Sequence, residues 1–166
     1  MKRIFISMTA FLSVMLGAVA QEQNDGLPGV PQTEDYVVTP VDTTSGVVVR
    51  KVSFLRSNNI LLVGNLFLPK NFDSDKKYPV ILSVHPAGSV KEQSAGLYAY
   101  SLAEHGFVTL AFDATYAGES GGTPHWSEVP YERVEDIRYA IDYLVTLPFV
   151  DEKRIGALGL CAGGGY

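Results

Sequence analysis

Arg154-Ile155-Gly156-Ala157-Leu158-Gly159-Leu160-Cys161-Ala162-Gly163-Gly164-Gly165 is a short apolar run that breaks into glycine around the only cysteine of the chain. The run from Arg154 to Leu160 predicts a buried strand, and it feeds directly into Cys161. Gly159 and Gly163 stand two residues before and two after that cysteine. A sharp strand-to-helix turn lifts its central side chain clear of a sheet only where those flanking positions lack a clashing Cβ. A helix after the turn would aim its N-terminus at the sulfur and favour thiolate over thiol. A free cysteine is also a common small core residue. The strand before it and the glycines on both sides favour Cys161 as a nucleophile.

The pattern upstream predicts a sheet for this turn to sit on. Val47 to Phe54 and Ile60 to Leu68 are β-branched and apolar, joined by the polar turn Arg56-Ser57-Asn58-Asn59, and predict a hairpin. Tyr78-Pro79 introduces Val80 to Val84, apolar apart from Ser83, as in a strand covered on both faces. Glu92 to His105 then changes period, with apolar residues at Leu97, Tyr98, Leu102 and neighbours, and Gly106 stops it. Phe107 to Phe112 predicts another buried strand, followed by a loop with Gly118, Gly121 and Gly122. Tyr131 to Leu147 sets Val134, Ile137, Ile141, Leu144 and Val145 at helical spacing, ending before Pro148. An antiparallel start followed by strand–helix–strand–helix–strand predicts an α/β sheet that is parallel from the third strand on.

The N-terminus carries a different signal. Lys2 and Arg3 precede an apolar stretch from Ile4 to Val19, and Ala18-Val19-Ala20 forms a small–x–small site. This predicts an export signal over 1–20, cleaved between Ala20 and Gln21, and a periplasmic or secreted product. The stretch falls short of the roughly 20 residues of a membrane span, and Glu22 and Asp25 flank it, so an uncleaved anchor is disfavoured. Residues 21–45 are rich in Gln, Pro, Gly, Thr and Asp, the composition of a flexible segment. The domain proper is expected over 46–166. A formal net charge of −5 with no Lys/Arg cluster argues against nucleic acid or anionic membrane as partner. Three scattered histidines and one cysteine show no zinc-ligand spacing, so neither metal nor cofactor is expected.

Three segments together resemble the N-terminal half of an α/β-hydrolase, and more narrowly the members with cysteine in the elbow, such as dienelactone hydrolases. Arg154-Ile155-Gly156 running up to Cys161 is the most specific. Val84-His85-Pro86-Ala87-Gly88 sits where that family places its oxyanion loop. Phe112-Asp113, followed by Gly118-Glu119-Ser120, resembles the loop after the fourth strand, although Ala114-Thr115-Tyr116-Ala117 replaces the frequent Arg-Gly portion. The fold class implied is an α/β-hydrolase fold: a mostly parallel sheet with an antiparallel N-terminal hairpin, reaching as far as the fifth strand.

Acyl transfer needs two backbone N–H groups aimed at the developing oxyanion, one from the residue after the nucleophile and one from the loop after the third strand. Ala162 meets the first requirement. Pro86 has no N–H, which leaves Ala87 or Gly88 for the second. The family's spacing favours Ala87. The family order is nucleophile, acid, base, whereas His85, His105 and His125 all precede Cys161, as do Asp113 and Glu119. His85 is expected to brace the oxyanion loop, Asp113 to fix the loop after its strand, and His105 and His125 to be surface residues. The resemblance therefore implies a hydrolase of ester, lactone or related acyl bonds on small molecules, with Cys161 as nucleophile, and the N-terminal signal predicts its export. Its acid and histidine are expected beyond residue 166. The competing expectation is a catalytically silent remnant or binding version of the fold. A thiol redox protein is disfavoured, because no second cysteine exists to resolve a disulfide.

Overall fold

The computed structural model describes residues 45–56 and 58–166. The expected signal segment, and the flexible segment except for Ser45, lie outside the described residues. Strands β1 (Val48–Leu55) and β2 (Leu61–Leu68) form the antiparallel hairpin, in register from Val48 opposite Leu68 to Leu55 opposite Leu61. Asn59 turns the chain at φ 60°, a left-handed conformation that asparagine tolerates better than most residues. Strand β3 (Tyr78–Val84), helix α1 (Ser94–Glu104), strand β4 (Val108–Phe112), helix α2 (Pro130–Val145) and strand β5 (Val150–Gly159) follow. The sheet order is β1-β2-β4-β3-β5, with β3 parallel to both β4 and β5 and β2 antiparallel to β4.

Side chains alternate between the two faces of this sheet. Leu66, Leu82, Leu110 and Phe112 join Ala140, Tyr143 and Leu144 of α2 in the larger core, and Phe54 stacks on Tyr143 with centroids 4.9 Å apart. Phe67 and Ala111 face the other way, onto Ala95, Ala99 and Ala103 of α1. Each large aliphatic or aromatic side chain so buried contributes about 1.5–3 kcal/mol relative to leaving it in water. The two helices thus cover opposite faces, and the chain reverses its direction of travel across the sheet at β3.

The helix faces differ from the sequence expectation, and the reason is physical. In α1 the inward face is the small-residue stripe Ala95, Gly96, Ala99 and Ala103, which lets the helix lie close on the sheet, while Leu97 and Tyr98 point outward. In α2 Val134 and Val145 are exposed, whereas Arg133 and Asp136 are buried because each has ionic or hydrogen-bonded partners across the fold. Strand β5 also starts four residues earlier than the apolar run. Val150 pairs with Tyr78, the register then shifts, and Ile155 meets Val80. The intervening Asp151-Glu152-Lys153-Arg154 is a charged irregularity with Arg154 Nε donating to Asp151 Oδ2 at 2.6 Å, so its sequence hides the strand. Among the described residues β5 is an edge strand.

Candidate active site

Ligands of open α/β sheets bind beyond the carboxyl ends of the strands, where the strand order reverses. Here that point lies between β3 and β5. Val84 and Gly159 are register partners at the ends of the two strands, and Leu160 N–H donates to the Val84 carbonyl at 3.1 Å. The loop that begins at His85 and the turn that begins at Cys161 therefore leave the sheet side by side.

Cys161 has φ 53°, left-handed for a residue with a Cβ, and its side chain is exposed. Such a conformation costs about 1–3 kcal/mol and persists only where the surroundings over-determine it. The flanking glycines supply that constraint. A Cβ on Gly159 would lie 2.6 Å from the Gly164 nitrogen, and one on Gly163 would lie 2.7 Å from the carbonyl oxygens of Val84 and His85. No side chain fits at either position. The strand-to-turn elbow expected from the glycine spacing is present. The following helix is represented by one 3-10 turn, Cys161–Gly164, in which only a few peptide dipoles can align.

The β3 loop turns at Pro86-Ala87-Gly88-Ser89, closed by Ser89 N–H donating to the Pro86 oxygen at 3.3 Å, with Gly88 at φ 65°. Ala87 and Gly88 are exposed. Among the described residues no backbone carbonyl accepts from the N–H of Ala87 or of Ala162. Below the turn, His85 is buried. Its Nδ1 lies 2.7 Å from the Pro86 oxygen and its Nε2 receives the Ala114 N–H at 3.2 Å, while Arg133 Nη1 lies alongside the ring, 2.8 Å from Nε2 and 3.2 Å from Nδ1. Arg133 Nη2 also donates to the His85 carbonyl oxygen. Burial, then the Arg133 charge, pushes the His85 pKa below its ordinary value, so the ring is neutral near pH 7.

A second network ties the β4 loop to the same region. The buried Asp113 carboxylate accepts from Lys91 N–H at 2.8 Å, Lys91 Nζ at 2.7 Å and Glu119 N–H at 2.9 Å. Lys91 Nζ also meets Glu119 at 2.6 Å and Glu92 at 2.7 Å, and Glu119 pairs with Lys51 of β1. Burial pulls the Lys91 pKa down, but the bonds to Asp113, Glu119 and Glu92 outweigh it and hold the ammonium above its ordinary value. Gly118 passes so close that a Cβ would lie 2.6 Å from Asp113 Oδ1. Asp113 fixes its loop as expected. A third cluster joins the hairpin turn to α2: Arg56 Nη1 donates to Thr115 Oγ1 at 2.8 Å and Asp136 Oδ1 at 2.9 Å, and Arg56 Nη2 meets Glu132 at 2.6 Å. Lys91, Arg133, Arg56 and Asp136 were not singled out by the sequence. Partners of these residues lie as far as 80 residues away along the chain, as Asp136 does from Arg56.

Residues 62–166 match the dienelactone hydrolase family. The chain belongs to this family. It is 57% identical over 118 residues to the protein YcjY of Escherichia coli K12, an alignment covering 70% of this chain and 39% of that protein. The crystal structure of PA2218 from Pseudomonas aeruginosa superposes with a TM-score of 0.70 at 41% identity, covering 80% of this chain and 42% of that one. The α/β-hydrolase GrgF from a Penicillium species superposes with a TM-score of 0.61 at 28% identity, covering 69% of this chain and 38% of that one. The fold is that of the α/β-hydrolases. The chain spans about two-fifths of the length of the E. coli relative.

In a dienelactone hydrolase relative the remaining question is where a base could come from. His85 has both ring nitrogens engaged in the core. His105 is exposed at the end of α1, with Nδ1 donating to the Ser101 oxygen at 2.7 Å. His125 is exposed and sits edge-on to Trp126, centroids 5.0 Å apart. None of the three is placed against Cys161.

Proposed function

We propose that this chain carries the nucleophile and oxyanion donors of an exported hydrolase acting on ester, lactone or related acyl bonds of small molecules. The observation that carries the reading is Cys161 itself: an exposed sulfur on a left-handed residue, between two glycines with no room for a side chain, beside the Ala87 turn. In this mechanism the Cys161 thiolate attacks the acyl carbon and a C–S bond forms. The carbonyl π electrons move onto oxygen, which rests on the N–H groups of Ala87 and Ala162. Collapse expels the alcohol, whose proton comes from a histidine supplied after the nucleophile in the family order, and water then cleaves the thioester.

Treatment of the protein expressed from its complete reading frame with iodoacetamide at pH 7 tests the role of the thiol. Turnover of p-nitrophenyl acetate should fall in proportion to alkylation of Cys161. Full turnover by a protein with Cys161 fully alkylated would refute the nucleophile. Export rests on the basic start, apolar run and Ala18-Val19-Ala20 site. N-terminal sequencing of the extracytoplasmic protein should begin at Gln21, and retained Met1 in that fraction would contradict it.

A further inference from the structure

The hydrogen bonds around His85 determine which way the neighbouring peptide faces. A neutral imidazole has one donor nitrogen and one acceptor nitrogen. The Ala114 N–H can only donate, so Nε2 at 3.2 Å must be the acceptor. The Pro86 oxygen can only accept, so Nδ1 at 2.7 Å carries the proton. The two constraints agree on the Nδ1–H tautomer. That N–H, together with the Ser89 N–H, holds the Pro86 carbonyl toward the buried ring. A trans peptide is planar with its N–H opposite its C=O, so the Ala87 N–H points away from the ring and out of the core.

We propose that Arg133 and His85 are positioning residues for the oxyanion donor: Arg133 anchors the His85 ring and carbonyl, and His85 turns the Pro86–Ala87 peptide so that the Ala87 N–H faces the reacting carbonyl. This rests on the reading of Cys161 as nucleophile and Ala87 as donor given above. Arg133 is suited to couple the two halves of the site. It reaches from α2 to the His85 ring and carbonyl, and its guanidinium also lies over the Tyr166 ring just past the elbow, 5.9 Å from the centroid. The charged groups facing the ring are Arg133 from α2, Asp113 at the end of β4 and Glu128 in the loop before α2. Burial and Arg133 dominate and keep the ring uncharged. Protonating Nε2 would put a donor against the Ala114 N–H and a cation against Arg133, which breaks the arrangement.

Two reactions of the same sulfur separate this role from general support of the elbow. Acylation by p-nitrophenyl acetate develops an oxyanion, and alkylation by iodoacetamide does not. In the protein expressed from its complete reading frame, Arg133→Met and His85→Ala should each slow Cys161 acylation by about 100-fold, the loss typical of one oxyanion donor, with alkylation unchanged. His85→Asn, whose amide can still donate to the Pro86 oxygen, should recover most of the His85→Ala loss. Should the variants not fold, ¹⁵N-histidine NMR of the unaltered protein decides, because His85 should show a neutral Nδ1–H ring at pH 7. Equal losses in acylation and alkylation, no loss in acylation, or an Nε2–H or charged ring would each overturn the relay. An unaltered protein that alkylates at Cys161 but never acylates would instead overturn the hydrolase reading, and with it any oxyanion to position.

Discussion

Cys161→Ala should eliminate p-nitrophenyl acetate turnover while leaving the thermal unfolding curve in place. Both halves of that result follow from the elbow. The thiolate is the only group in the proposed reaction that bonds to the acyl carbon, so without it no acyl-enzyme forms. Alanine retains the Cβ that already occupies the turn at φ 53°, so the backbone strain is the same before and after the change. Cys161→Ser gives a graded outcome. An oxygen nucleophile needs its proton removed during attack, so activity should fall steeply yet persist with activated esters. Full activity in Cys161→Ala would mean that the strained residue serves packing alone.

Lys91→Met should lower stability by about 3 kcal/mol, the lower end of what breaking a buried ion pair costs. Methionine has nearly the volume of the lysine stem, so the loss is electrostatic and not a cavity. Asp113 would keep the N–H bonds of Lys91 and Glu119 but would be a buried carboxylate without its cation. Urea unfolding should show a lower midpoint at unchanged slope, since the surface exposed on unfolding is the same. Adding Asp113→Asn to Lys91→Met should recover part of the loss, because the orphaned charge disappears. Additive losses in the double variant would show that the pair is not coupled.

The legible parts of this molecule are those whose physics is local. Gly159, Cys161 and Gly163 constrain one another within five residues, so the elbow is legible in the order of residues alone. The apolar runs from Val80 to Val84 and Phe107 to Phe112 mark the parallel strands for the same reason, and Pro86 restricts the oxyanion donor by lacking a hydrogen. What the sequence conceals depends on contacts between distant segments. Arg133 and Asp136 look like solvated helix residues until His85, Thr115 and Arg56 surround them. Lys91 looks like an exposed loop cation, and only the return of the chain at Asp113, 22 residues later, buries it. The face of α1 misleads in the opposite sense. Leu97 and Tyr98 are the larger apolar residues, yet the sheet accepts the alanine stripe because close approach matters more there than side-chain volume.

The central claim is that the Cys161 sulfur becomes acylated. Mixing the protein from its complete reading frame with p-nitrophenyl acetate, quenching in acid within the first turnovers and digesting it tests this directly by peptide mass. The account predicts a single acetyl group on the peptide containing Gly159-Leu160-Cys161-Ala162-Gly163, labile to hydroxylamine as a thioester is, and absent after prior alkylation of the thiol. Turnover with the acetyl group carried on any other residue, or with Cys161 remaining a free thiol throughout, would contradict it.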